Sequence, residues 1–293
     1  MSVVPQPSVL AAPLQSGQSL TFRLSLEADP AAGLRRLREV FDPKAMVIGC
    51  GEILARCLGH EVAGLRPFPS LTGSPYAIPS TQQALWVNLR AEDRSAIFDL
   101  SEQVVAALAP DFILDDAMDT FTYAGGRDLT GYEDGTANPN VKESVKVAIA
   151  GEESALAGSS FVAVQRWSHD LARFRAHSPD ERDAMIGRRI KDNEEIEDAP
   201  ESAHVKRTAQ ELYQPTAFMV RRSLPYATAD DKGLEFIAYC TTLDAFERML
   251  KHMAGIDDGI ADALFRFSRP ITGGYYWCPP LRDGKLDFSA LGL

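Results

Sequence analysis

The order in which two periodicities alternate along this chain limits its fold more than any other feature. "QSLTFRLSLE" reads as a strand, and "DPAAGLRRLREVFD" as a helix with an Asp cap and Pro in its first turn. The apolar "AMVIGCG" follows, and beyond a Pro-rich loop "QALWVNLRA" alternates with the two-residue period of a strand. "DRSAIFDLSEQVVAALA" has helical period, and "DFILDDAMDTFTYA" runs extended near its end. The order is close to β-α-β-β-α-β. The second half repeats it: "SSFVAVQRWS" is a strand, "HDLARFRAHSPDERDAMIGRRI" is helical material broken at Pro179, and "TAFMVRRSL" and "LEFIAYCT" are strands. "LDAFERMLKHMAG" is then a helix ending on Gly255, and "GGYYWCPP" a last strand. Two antiparallel sheets backed by helices fit this count, an α+β fold of two ferredoxin-like domains. Small and polar residues from Asn138 to Ser160 mark the boundary, so residues 1–137 and 138–293 are expected as the two units. "GYEDGTANP" (131–139) sits where they meet, and ligand sites favour such junctions.

Composition narrows the partners. A net charge of −11 over 293 residues argues against a sequence-independent nucleic-acid binder, which needs a basic face for phosphates. No apolar run approaches the roughly 20 residues of a membrane-spanning helix. "MSVVPQPSVLAAPLQSGQSL" lacks the basic start and unbroken apolar core of a secretory signal, so a cytoplasmic location is expected. Cys50, Cys57, Cys240 and Cys278 have no C-x-x-C spacing and read as buried, reduced thiols.

Signatures of phosphate loops, hydrolase elbows and zincins are absent. A calcium loop starting at Asp134 fails because its twelfth position is Val145, where a bidentate Glu is needed. What remains is a carboxylate pinned between Gly131 and Gly135. Of five histidines, His204 in "ESAHVKRT" lies at a loop end where a ring can point into a cavity. His169, His177 and His252 fall on helical patterns beside charges, which suits solvated or capping roles. Along "TAFMVRRSLPY" the strand period puts Ala217, Met219, Arg221 and Ser223 on one face. Arg221 and Ser223 then line one polar pocket, although an edge strand with solvated arginines fits the same pattern. Arg222, on the more apolar face, is left without an identified partner.

Together, "GYEDGTANP", "SAHVKRT" and "VRRSLPY" resemble the dye-decolourising peroxidases, haem enzymes that share a G-x-x-D-G motif, and the likeness runs over nearly the whole chain. G-x-x-D-G alone is weak. Combined with the histidine of S-A-H-V and an Arg-x-Ser strand seventeen residues on, it is specific. The resemblance, closest to the bacterial B-type branch, implies one haem b in the C-terminal half with His204 as the axial ligand to iron. It puts Asp134 and Arg221 on the opposite face, where hydrogen peroxide binds. The carboxylate would move a proton between the peroxide oxygens, Arg221 would stabilise charge as the O–O bond breaks, and Ser223 would orient a water. An oxoferryl porphyrin radical would result, to be reduced by dyes, phenols or other small electron donors.

The resemblance also assigns Arg221, rather than Arg222, the distal place, where a one-residue slip would reverse the faces. It makes Asp262 the acceptor of the other ring N–H of His204, with a helix-surface Asp as the plain alternative. Arg188 is assigned to a haem propionate. Trp167, Tyr132, Tyr276 and Trp277 are candidate electron carriers, though aromatics at this density are more often core. A homo-oligomer is expected from the family, whereas the tail "LRDGKLDFSALGL" shows no encapsulation peptide. Two other readings compete: a haem-handling protein with incidental peroxidase activity, which has no need of Asp134 with Arg221, and a metal-free binding module.

Overall fold

The computed structural model describes residues 3–71 and 76–293, so part of the Pro-rich loop lies outside the described residues. A short strand β1 (Val3–Val4) and one turn of helix α1 (Pro7–Leu10) come first. The first half runs β2 (Ser16–Leu24), α2 (Pro30–Val40), β3 (Met46–Cys50), α3 (Glu52–Cys57), β4 (Leu85–Ala91), α4 (Arg94–Leu108) and β5 (Phe112–Phe121). Helix α5 (Val141–Ala148) lies in the connection. The second half contributes β6 (Ser160–His169), α6 (Leu171–Ala176), α7 (Pro179–Ile186), α8 (His204–Arg207), β7 (Val220–Arg221) and β8 (Leu224–Ala227). It continues with β9 (Lys232–Cys240), α9 (Leu243–Met253), β10 (Ser268–Pro270) and β11 (Gly274–Cys278). Strands β12 (Leu281–Arg282) and β13 (Lys285–Leu286) join β1 in a small separate sheet. Among the described residues no helix is long and apolar enough to cross a membrane.

The helices start where local chemistry predicts. Asp29 caps α2 by accepting the Ala32 N–H and is followed by Pro30, Asp93 caps α4, and Thr242 caps α9. Ser178 and Glu181 form a reciprocal capping box on α7, with Pro179 in its first turn, which is why the helical material after β6 breaks there. Helix α5 escaped the sequence reading because its small and polar residues look like a linker; its start is fixed by the Asn140 side chain, which accepts from the Lys142 and Glu143 N–H groups.

The main sheet has the order β5-β2-β4-β3-β11-β6-β9-β7, with antiparallel pairing throughout, β8 continuing along β9 and β10 pairing with β6. In each half the order is fourth, first, third and second strand, the arrangement of a ferredoxin-like unit. The second strand of the first half, β3, meets the fourth of the second, β11, at Cys50 and Trp277. At the other end β5 packs against β8, so the sheet curls into a nearly closed barrel. The buried side chain of Gln6 staples the β3–β11 seam: Nε2 donates to the carbonyls of Ile48 and Pro279, both at 2.9 Å, while Oε1 accepts the Ile48 N–H at 2.8 Å.

The two faces of this sheet carry different cores. Trp86, Val162, Val164, Val220, Ile237, Tyr239 and Tyr276 pack together on the inner face. The helices cover the other with a larger cluster that includes Leu20, Leu34, Val87, Ala163, Ala238, Phe246 and Leu250. Inside the curve Arg166 spans the barrel, donating to Glu235 of β9 at 3.0 Å and to Asp116 of β5 at 2.6 Å.

Gly49 tests the seam. A Cβ there would stand 2.7 Å from Tyr276 Cβ and 3.1 Å from Trp86 Cε3, across the line joining the two halves. Gly49→Ala should lower the unfolding free energy by about 1–3 kcal/mol, the usual cost of overpacking a filled core. Urea denaturation followed by tryptophan fluorescence reads this directly, and an unchanged midpoint would show that the seam yields freely.

Candidate active site

On the helix-covered face of the second half lies a cavity with about 910 Å³ of empty space, part of it open to solvent. One wall is apolar, from Leu234 and Phe236 of β9, Phe246, Met249, Leu250 and Met253 of α9, and Leu264 and Phe267 beyond it. Polar groups reach the same cavity: Asp128, Thr130, Asp134, His169, His204 and Arg221. A pocket of this size, mostly apolar with a few convergent polar groups, suits a largely apolar ligand.

The glycines of "GYEDGTANP" do what their spacing implies. Gly131 has φ +93° and Gly135 φ +76°, a region open chiefly to glycine, and between them Asp134 Oδ1 accepts the Gly135 N–H at 2.7 Å. Arg127 ties the loop from outside, donating to the Gly131 carbonyl and to Glu133. The loop is then locked onto β7. Asn138 Oδ1 accepts the Arg221 N–H at 2.8 Å, and its Nδ2 donates to the Arg221 carbonyl at 3.2 Å, as a neighbouring strand would. Gln210 adds a second clasp by donating to the Ala137 carbonyl and accepting the Met219 N–H, both at 2.9 Å. The loop carboxylate and the strand guanidinium are thus set against each other by backbone contacts. Burial pushes the Asp134 carboxyl above its ordinary pKa, and the positive charge of Arg221 only partly offsets this.

His204 opens the single turn of α8. Its Nδ1 lies 2.7 Å from Asp262 Oδ2, and Asp262 is itself 1% exposed, with its other oxygen accepting the Leu264 N–H at 2.8 Å. A carboxylate at that distance fixes the ring with hydrogen on Nδ1, leaving Nε2 with its lone pair free for the cavity. Burial alone would lower the His204 pKa, but the charge and hydrogen bond of Asp262 outweigh it and the net direction is upward. Among the described residues no three His, Cys, Asp or Glu side chains converge to hold a metal ion unaided. A single histidine instead suits a metal that brings its other ligands with it.

Residues 125–283 match the sequence profile of the family described as "Dyp-type peroxidase, C-terminal". A dye-decolorizing peroxidase of Mycobacterium tuberculosis is 31% identical over 230 residues, covering 76% of this chain and 69% of that protein. The chain belongs to the dye-decolourising peroxidase family. A dye-decolorizing protein from V. cholerae superposes with a TM-score of 0.85 at 28% identity, covering 95% of this chain and 97% of that one. A Rhodococcus jostii RHA1 DypB variant in complex with heme gives 0.85 at 26% identity, covering 93% and 95%. The chain is therefore an oxidoreductase of the peroxidase class.

Within this peroxidase the residues expected from the sequence divide. Asp134, His204 and Arg221 share the cavity, Asp262 backs His204, and Arg221 rather than Arg222 lines it. Ser223 does not line the cavity; its hydroxyl accepts the Ile237 N–H at 3.2 Å in the gap between β7 and β8, which leaves it a strand-pairing residue. Arg188 does not line it either, because its guanidinium is committed to Glu195 at 2.8 Å and to the Asn193 carbonyl at 2.9 Å. Trp167 and Tyr132 line the cavity, whereas Tyr276 and Trp277 lie in the core, and all four are at most 5% exposed. Cys57 is exposed, unlike the other three thiols.

His169 corrects the sequence reading most clearly. It ends β6, buried, between Ser268 Oγ at 2.6 Å and Asp128 Oδ1 at 3.2 Å, so it is neither solvated nor a cap. His252 packs on Arg207, whose Nη2 donates to its Nδ1 at 3.1 Å, and His177 sits at the C-terminal cap of α6. The sequence reading also missed Asn138 and Gln210. The only available signal was the position of Asn138 inside the glycine-bounded loop.

The raised Asp134 carboxyl has a consequence for stability. The folded, haem-free chain binds this proton more tightly than the unfolded chain, so stability falls as pH rises from the ordinary aspartate range near ~4 toward the raised value. Asp134→Asn removes the ionisation. At neutral pH the variant should withstand more urea than the parent, and the difference should vanish below pH ~4. A difference independent of pH would assign the effect to lost contacts instead.

Proposed function

We propose that this chain is a haem b peroxidase that reduces hydrogen peroxide and oxidises dyes, phenols or similar small organic donors. The observation that carries the reading is the cavity itself. It joins a histidine, oriented by a buried acid, to a carboxylate and a guanidinium locked together by one hydrogen-bonded loop. The donor set fits the group: His204 Nε2 would hold the iron, and the apolar residues of β9 and α9 would cover a porphyrin face. When bound, haem supplies a redox-active iron at which peroxide is reduced and through which donors lose electrons one at a time.

The chain's own residues do the rest. Asp262 holds the Nδ1 proton of His204, keeps the ring in one tautomer and raises the basicity of Nε2. An ionised Asp134 takes the proton from the inner oxygen of peroxide and passes it to the outer oxygen, which leaves as water. The Arg221 guanidinium stabilises negative charge on the departing oxygen. Burial favours the protonated form of Asp134 and Arg221 opposes it, so the pair must be kept together for the carboxylate to be available as a base. We place the domain boundary at 137/138, so that the first unit lends its last stretch, including Asp128, Thr130, Tyr132 and Asp134, to a site otherwise built by the second. The homo-oligomer belongs to the same proposal, and light scattering reads it.

Two substitutions test this function. His204→Ala should lose most of its bound haem and its Soret band, and a variant with normal haem content would remove His204 from the ligand position. Arg221→Leu should retain haem yet slow the first Soret change on mixing with peroxide by about 10²- to 10³-fold, the cost of one preorganised stabilising group. Parental rates on stopped-flow mixing would favour the haem-handling alternative.

A further inference from the structure

Arg90, which closes the inner row of β4, and Arg222, between β7 and β8, line a second recess inside the curve of the sheet, on the opposite face from the large cavity. Their hydrogen bonds go to main-chain carbonyls. Arg222 donates to Arg221 at 2.9 Å and Leu10 at 2.6 Å, and Arg90 donates to Ala12 at 2.6 Å. The Nε–H of each is buried with no acceptor among the described residues. So is the hydroxyl of Tyr239, which is 0% exposed and within electrostatic range of both guanidiniums. Three buried donor groups without partners in one neighbourhood are uncommon in a folded protein and call for a ligand.

Charge says which kind. Neither arginine forms an ion pair among the described residues, and Glu92, which feels the charge of Arg90, makes none with it. Glu235 is the one acid lining the recess, and it is engaged by Arg166, which also holds Asp116. Among the described residues lining the recess, two guanidiniums therefore face one carboxylate that is already paired with Arg166, which leaves the recess with an excess of positive charge. Burial, and beyond it the neighbouring Arg90, disfavour the charged form of Arg222. A water can accept two of the free N–H groups but leaves that charge in place, whereas an anion can accept guanidinium N–H groups and neutralises it. The recess has about 370 Å³ of space, part of it open, which admits a small ion and no extended ligand.

We propose that this recess is a binding site for a small monovalent inorganic anion of the halide type, held between Arg90 and Arg222. The site is independent of the haem cavity, yet it is joined to it through one peptide: Arg222 Nη1 grips the carbonyl of Arg221. The anion ties this peptide, β4 and the N-terminal segment at Leu10 into one unit.

Crystals of the haem-loaded protein soaked in bromide should show an anomalous peak between the two guanidiniums. In solution, bromide should raise the thermal midpoint saturably over gluconate at equal ionic strength. Arg222→Gln and Arg90→Gln should each abolish that rise while keeping the parental Soret band. Absence of an anomalous peak in the recess overturns the proposal, as does an equal bromide response in the parent and both variants. A peak without saturable stabilisation would mean an adventitious ion only, and overturns it too.

Discussion

The closure of one sheet from two halves is the constraint on which the other features rest. Because β3 meets β11 on one side and β5 packs against β8 on the other, every strand has one face inside the curve and one under helices. The two-residue period of a strand then sorts each sequence into two chemistries. On β6, Ala163, Gln165, Trp167 and His169 belong to the helix side, while Val162, Val164 and Arg166 point inward. A ferredoxin-like half alone would leave its inner face to solvent. Here the inner face is apolar at the seam and charged where Arg166 crosses to β5, and Gln6 closes the join between the halves.

Placed on this frame, the cavity owes its polarity to a loop that imitates a strand. An isolated carboxylate on a glycine-bounded loop would be mobile, because glycine gives the backbone access to more conformations than any other residue. Asn138 removes that freedom by pairing with both backbone groups of Arg221, and Gln210 repeats the device two residues earlier on the strand, at Met219. Side-chain amides suit the task because each carries one acceptor and one donor, the complement of a peptide unit. The loop thereby gains rigidity without lengthening the sheet, and Asp134 stays next to the cation that moderates its burial.

The sequence exposed what depends on local pattern and concealed what depends on long-range pairing. Alternation and capping residues located the main strands and the longer helices of both halves, though not α3 or α5, and the glycine spacing singled out Asp134. Strand period separated Arg221 from Arg222, whereas the choice of Arg221 for the cavity and the pairing of Asp262 with His204, 58 residues apart in sequence, came from the family resemblance. Ser223 and Arg188 stand outside the cavity lining for a common reason. Period and motif say which way a side chain starts, but its hydrogen bond is decided by partners such as Ile237 and Glu195 that only the folded chain supplies. His169 looked helical because Asp170 caps a helix one residue later. The strand hydrogen bonds of β6 extend one residue further than its apolar run.

Arg221 and Arg222 show how much hangs on a single step of register. Consecutive residues on an antiparallel strand point to opposite faces, so this dipeptide sends one guanidinium into the large cavity and the other into the barrel. The register is held on both sides of the gap, by Val220 opposite Tyr239 and Arg221 opposite Ala238 before it and by the pairs from Leu224 opposite Glu235 onward after it. Between them the Ser223 hydroxyl takes the Ile237 N–H, and Arg222 N–H meets the Ile237 carbonyl at 2.9 Å. Ser223 therefore matters to the cavity without touching it. It helps to keep the strand paired through its irregular gap, and with it the register that turns Arg221 rather than Arg222 toward the cavity.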